Sequence, residues 1–119
     1  MATEITLASL RKIDPDKTRV STPSEVVDAG DYKFAGFYLR VFKASGNGSH
    51  TLTVKVQHSL QKDEESFVDL VTFTVAGDVS LPYTEFKSST AFGRYLRYEA
   101  TASGSPFVWE LTGILKNPD

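Results

Sequence analysis

The run Leu52-Thr53-Val54-Lys55-Val56-Gln57 alternates apolar and polar side chains without a break, the period of a strand with one face buried and one wet. The same period of two returns on either side of it. Residues 36–44 set Phe37, Leu39 and Val41 against Tyr38, Arg40 and Phe42. Residues 93–101 set Leu96, Tyr98 and Ala100 against Tyr95, Arg97, Glu99 and Thr101, and residues 107–115 set Phe107, Trp109, Leu111 and Leu115 against Glu110 and Thr112. Residues 67–75 are apolar on both faces, which predicts a central strand. Weaker strands are expected at 4–10, around Val20, at 25–29 and at 79–86, where Pro82 confines the last to a sheet edge or a bulge.

Turn residues separate these runs. Ser45-Gly46-Asn47-Gly48-Ser49 and Ser103-Gly104-Ser105-Pro106 supply glycines for positive φ, Ala76-Gly77-Asp78 marks another turn, and Lys62-Asp63-Glu64-Glu65-Ser66 reads as a charged loop tip. About eight short strands with a turn every ten residues or so predict an all-β fold, an antiparallel, jelly-roll-like β-sandwich. No segment keeps a helical period for three turns; residues 88–92 allow a single turn at most. A length of 119 residues fits one domain, large enough to bury a core without staples. Gly36-Phe37-Tyr38-Leu39-Arg40 returns as Gly93-Arg94-Tyr95-Leu96-Arg97. This echo reads either as two hairpins obeying the same packing rules or as a duplication.

Composition removes several functions. The chain has no cysteine and a net charge of -2 with both signs interspersed, so thiolate metal sites are excluded and no basic face for nucleic acid is expected. The first residues lack a basic start and an apolar run, so no signal peptide is expected, and no stretch is long enough for a membrane span. Of the two histidines, His58 continues the apolar face of its strand and His50 sits in a Gly/Ser turn, where it is expected to be solvated. Neither stands in a nucleophile elbow or a zinc-protease motif. Asp14-Pro15-Asp16 and Asp28-Ala29-Gly30-Asp31 pair carboxylates near turns but lack the ligand count of a calcium loop. No enzyme activity, metal or cofactor is expected. Tyr32, Phe34, Tyr83, Phe86, Phe92 and Tyr95 lie in or beside expected loops, where aromatics plug core ends, stack on sugars or fill interface pockets. Arg40 and Arg97 are expected to lie across sheet surfaces with their stems covering apolar area.

The run Phe67-Val68-Asp69-Leu70-Val71-Thr72-Phe73-Thr74, then Gly93-Arg94-Tyr95-Leu96-Arg97-Tyr98, then Ser103-Gly104-Ser105-Pro106-Phe107 resembles small β-sandwich proteins encoded among the structural genes of tailed bacteriophages. The resemblance covers roughly residues 34–115. It implies a virion component, a head decoration or cement protein made in the host cytoplasm, whose partner is a capsid or other virion protein. A tail-associated role is the near alternative. Gly93-Arg94-Tyr95-Leu96-Arg97 also looks like the penultimate strand of discoidin-like carbohydrate- or lipid-binding sandwiches, although this chain is short for them and lacks their cysteines. Residues 1–17 lie outside the resemblance and are charged and broken by Pro15, so they are expected to act partly as an attachment arm that pairs with a neighbouring copy, a trimer suiting local three-fold positions. The expected partner-binding residues are Ile5, Leu7, Leu10, Tyr32, Tyr83 and Phe92.

If no metal site exists, saturating calcium or zinc should leave the melting temperature unchanged, because a ligand specific to the native state must raise it. A calorimetric shift of several degrees would contradict this reading.

Overall fold

The computed structural model of the chain describes residues 2–22 and 25–117. The alternating runs form β1 (Ala2–Ile13), β2 (Thr18–Val20), β3 (Val27–Asp28), β4 (Phe34–Lys43), β5 (Thr51–Ser59), β6 (Val68–Ala76), β7 (Tyr83–Ser89), β8 (Tyr95–Ser103) and β9 (Phe107–Lys116). All pairings are antiparallel. One sheet, here sheet A, has the order β1-β9-β4-β7; the other, sheet B, has the order β2-β8-β5-β6, with β3 also on β8. Advancing each strand by half the chain turns one order into the other once β2 and β3 share a single place. This is the jelly roll, two Greek keys folded into two sheets.

That topology explains the echo. β4 and β8 hold equivalent inner positions in opposite sheets, so each needs the same inward Leu and the same outward Tyr and Arg. The glycine turns that follow them do not close hairpins within one sheet. They carry the chain across the sandwich, from β4 to β5 and from β8 to β9. Gly104 (φ 88°) lies against the His50 ring, where a Cβ would come within 3 Å of three ring atoms. His50 is therefore half-buried between two crossings, with Nδ1 2.8 Å from Ser45 Oγ, and is not a solvated turn residue.

The core lies between the sheets. Phe37, Leu39, Val41, Phe107, Trp109, Leu111 and Leu115 meet Leu52, Val54, Val56, Phe73, Leu96 and Tyr98, all essentially inaccessible to solvent. Trp109 and Tyr98 sit edge to face, ring centroids 5.5 Å apart at 78°. The indole Nε1 has no hydrogen-bond partner among the described residues, so packing and the edge-to-face contact hold this ring.

Two expectations change. The first concerns residues 1–17. β1 pairs with β9 along its length, with register shifts between Thr6 and Ala8 and between Ala8 and Arg11. The first shift turns Leu7 and Ala8 inward together. Arg11 then donates through NH1 to Tyr98 Oη (2.6 Å) and through NH2 to Glu25 Oε2 (3.1 Å). Residues 2–13 of this segment complete the chain's own sheet and are no free arm. The second concerns β6, which is an edge strand and not a central one. No strand among the described residues pairs with its outer edge. Two smaller differences follow: residues 88–92 make no helical turn, and the charged tip instead forms a 3-10 turn, Glu64–Ser66, capped by Asp63 accepting from the Ser66 amide. No helix among the described residues is long and apolar enough to cross a membrane.

Deleting residues 2–12 removes Leu7 and Ala8 from the core and strips Tyr98 of its Arg11 donor. Losing a buried leucine alone costs about 2–5 kcal/mol. The truncated chain should be unfolded or insoluble by circular dichroism; a cooperative melt near that of the full chain would restore the arm.

Candidate interaction face

The outer surfaces of the two sheets differ in chemistry. On sheet B, Arg97 lies 4.4 Å over the Phe67 ring and donates from Nε to Gln57 Oε1 at 2.8 Å. Gln57 Nε2 donates in turn to Asp69 Oδ1 at 3.0 Å, and Lys55 Nζ stands 3.4 Å from Asp69 Oδ2. Thr18 and Thr101 share a hydroxyl bond across β2 and β8. This face is polar and its groups satisfy one another.

The outer face of sheet A is aromatic. Alternation turns Phe34, Gly36, Tyr38, Arg40 and Phe42 of β4 outward, so an aromatic stands at every fourth residue. Lys116 Nζ lies 5.3 Å from the Phe34 ring and the Arg40 guanidinium 5.1 Å from Phe42, distances at which a cation is drawn to a ring face. Arg40 also reaches Glu110 at 3.7 Å. Gly36 decides the centre. A Cβ there would come 2.6 Å from Phe86 Cε1 and 3.3 Å from Ile114 Cγ2, so the bare backbone is what lets the β7 ring lie down on β4. Phe86 then meets Tyr38 with centroids 4.6 Å apart and tilted 46°. Glycine inside a strand costs about 0.5–1 kcal/mol, and here that cost builds a cluster on the solvent side. Phe86 remains 45% and Tyr38 41% exposed. Beside them runs a groove of about 520 Å³ bordered by Glu4, Thr6, Thr112, Ile114 and the expected partner residue Ile5.

The expected site residues do not assemble. Leu7 is in the core (1% exposed), and Ile5 is half-buried against it beside Gly113. Leu10 stands alone on β1, 60% exposed. Tyr32 is half-buried with its hydroxyl 2.6 Å from Thr3 Oγ1. Tyr83 turns inward and donates to Glu85 Oε1 at 2.9 Å, a bond that pushes its pKa above the usual phenol value. Phe92 lines a cleft of about 510 Å³ with His58, Leu60 and Val68; there His58 Nδ1 accepts from the Gly93 amide at 2.8 Å. Phe34, Tyr83 and Tyr95 open β4, β7 and β8 and stand beside loops, whereas Phe86 lies inside β7. Sequence reasoning placed Tyr38, Arg40 and Phe42 outward but missed the cluster, whose signal is a glycine in a run otherwise fit for an inner strand.

No protein-family model and no curated protein matches the sequence. Solved structures do share the fold. The exported protein XepA of PBSX superposes over 98% of this chain with a TM-score of 0.67 at 9% identity, and the chain spans 38% of XepA's length. A subunit of Bacillus endospore appendages, described as disulfide-linked pili, matches over 100% of this chain and 92% of its own, with a TM-score of 0.52 at 8% identity. A chain of the infectious bursal disease virus structure, Gx strain, matches over 100% of this chain and 32% of its own, with a TM-score of 0.51 at 10% identity. At these identities the likeness is one of architecture.

Among the described residues, three carboxylates have pKa values lowered by contacts of the folded state. Burial pushes Glu25 upward, but bonds from the Thr22 amide and Arg11 outweigh it and hold its pKa below the ordinary value. Asp28 is lowered by the two-pronged Arg94 bond (3.1 and 3.0 Å) and the Gly30 amide. Asp69 is lowered by Gln57, against some burial and with help from Lys55. A pKa depressed in the folded state gives stability that is complete above the unfolded value and lost as pH falls through the folded one. Stability should therefore be flat from pH 7 to about pH 5 and fall below about pH 4. Glu25→Gln should cost about 1 kcal/mol or less at pH 7 and shrink the acid loss. Urea melts between pH 2 and 7 measure both; an acid limb unchanged by Glu25→Gln would contradict the assignment.

Proposed function

We propose that this chain is a non-enzymatic structural component of a phage particle, a head decoration or cement protein that seats its sheet A face on a neighbouring virion protein. The observation that carries the reading is the contrast between the two outer faces. Sheet B satisfies its own polar groups, whereas sheet A leaves Tyr38, Phe86 and Ile114 clustered over Gly36 on its outer face. Exposed aromatic and arginine side chains gathered on one face, with charges beside them, are the composition of a protein interface. The jelly roll shared with an exported protein, an appendage subunit and a virus chain supports a role in an assembly. Fold alone hosts many functions, so the face and not the topology carries the weight. The 46° tilt of Tyr38 on Phe86 also makes a poor flat platform for a sugar ring, which weighs against the carbohydrate-binding alternative.

Electron microscopy of particles purified with the chain expressed beside its neighbouring genes tests this. Ordered density with sheet A toward the shell is expected, and Tyr38→Ser with Phe86→Ser should strip the protein from the particle while Thr53→Ser on the other sheet leaves it bound. Absence from purified particles, or retention of the double variant, would refute the reading. Glycan-array binding lost in that same variant would turn it toward the alternative.

A further inference from the structure

Each sheet of this sandwich has two edges, and three of the four edges carry protection against pairing with another chain. β1 is interrupted by two register shifts and carries Glu4, Arg11 and Lys12. β2 and β3 are three and two residues long. β7 turns Glu85 and Lys87 inward as an ion pair at 3.7 Å. β6 is different. Its one register shift falls at Leu70, and beyond it residues 71–76 run regularly against β5, with no charge and no proline. This is the composition of a segment that pairs if left open.

The sequence of that run names its partner. Val71-Thr72-Phe73-Thr74-Val75 reads the same in both directions. In an antiparallel pair centred on Phe73, Val71 faces the other copy's Val75 and Thr72 faces its Thr74. Phe73 and Val75 point inward (0% and 1% exposed), while Thr72 and Thr74 are exposed, so each opposed pair lies on one face, as pairing requires. The strand's one charge, Asp69, falls opposite Gly77 and meets no like charge. A two-fold interface demands such self-complementarity. Residues 67–75 read as apolar on both faces because the shift at Leu70 resets the alternation, not because a second face is covered.

We propose that two copies of this chain pair β6 to β6 about a two-fold axis at Phe73, joining their B sheets into one continuous sheet. The proposal stands apart from the particle role, since it uses an edge and leaves the sheet A face free.

Sedimentation equilibrium of the full chain and two double variants tests it. The wild type is expected at twice the mass of one chain. Thr72→Glu with Thr74→Glu sets carboxylate against carboxylate across the axis and should give a monomer with an unchanged circular dichroism spectrum. Thr72→Glu with Thr74→Lys sets opposite charges in the same places and should restore the dimer. A wild-type monomer or trimer, a dimer that survives the double Glu substitution, or a Glu/Lys variant that stays monomeric would each overturn the proposal.

Discussion

One side chain ties most of this fold together. Tyr98 rises from β8 into the core, packs its ring against Trp109 of β9 in the opposite sheet, and presents its hydroxyl to Arg11 of β1. Its own backbone is bonded on both sides by Ser21, whose Oγ accepts from the Tyr98 amide and whose amide donates to the Tyr98 carbonyl. Both sheets, the N-terminal edge strand and the segment after β2 therefore meet at one residue. Arg11 stacks on the same ring at 5.6 Å and closes on Glu25, so the charged end of the constellation sits at the rim and the aromatic end in the dry centre. Hydrogen bonds to charged groups contribute more than neutral ones, roughly 1.5–3 kcal/mol, which is why the apparently dispensable N-terminus is bound into the domain.

With the core fixed from one side of each strand, the outer faces are free to diverge. On β8 and β5 the outward positions went to Arg97 and Gln57, which knit a polar surface. On β4, the equivalent strand of the other sheet, they went to aromatics and to a glycine that admits Phe86. The same inward pattern thus supports two unlike surfaces.

Period-two alternation made the sandwich legible because burial on one face is written directly into each strand. Residues 36–44, 52–57, 93–101 and 107–115 all point as their alternation indicated. Alternation fails where the backbone inserts a residue. In β1 the shift between Thr6 and Ala8 buries two neighbours in succession, so Leu7 read as a partner contact when it is core. It is also silent about lateral pairing: β6 reads as apolar on both faces only because the shift at Leu70 resets its alternation, and it ends its sheet with one wet face. The Phe86 cluster stayed hidden because it joins β7 to β4 across some fifty residues, and only the unexplained Gly36 hinted that something large lay over it.

The dependence on Tyr98 is open to a double-mutant cycle of Arg11→Met and Tyr98→Phe, read by urea unfolding at pH 7. Each single change should destabilise the protein, and the pair should cost less than the sum by about 1 kcal/mol or more. Strict additivity would contradict the account, because it would mean that β1 is held to the domain by its ladder alone.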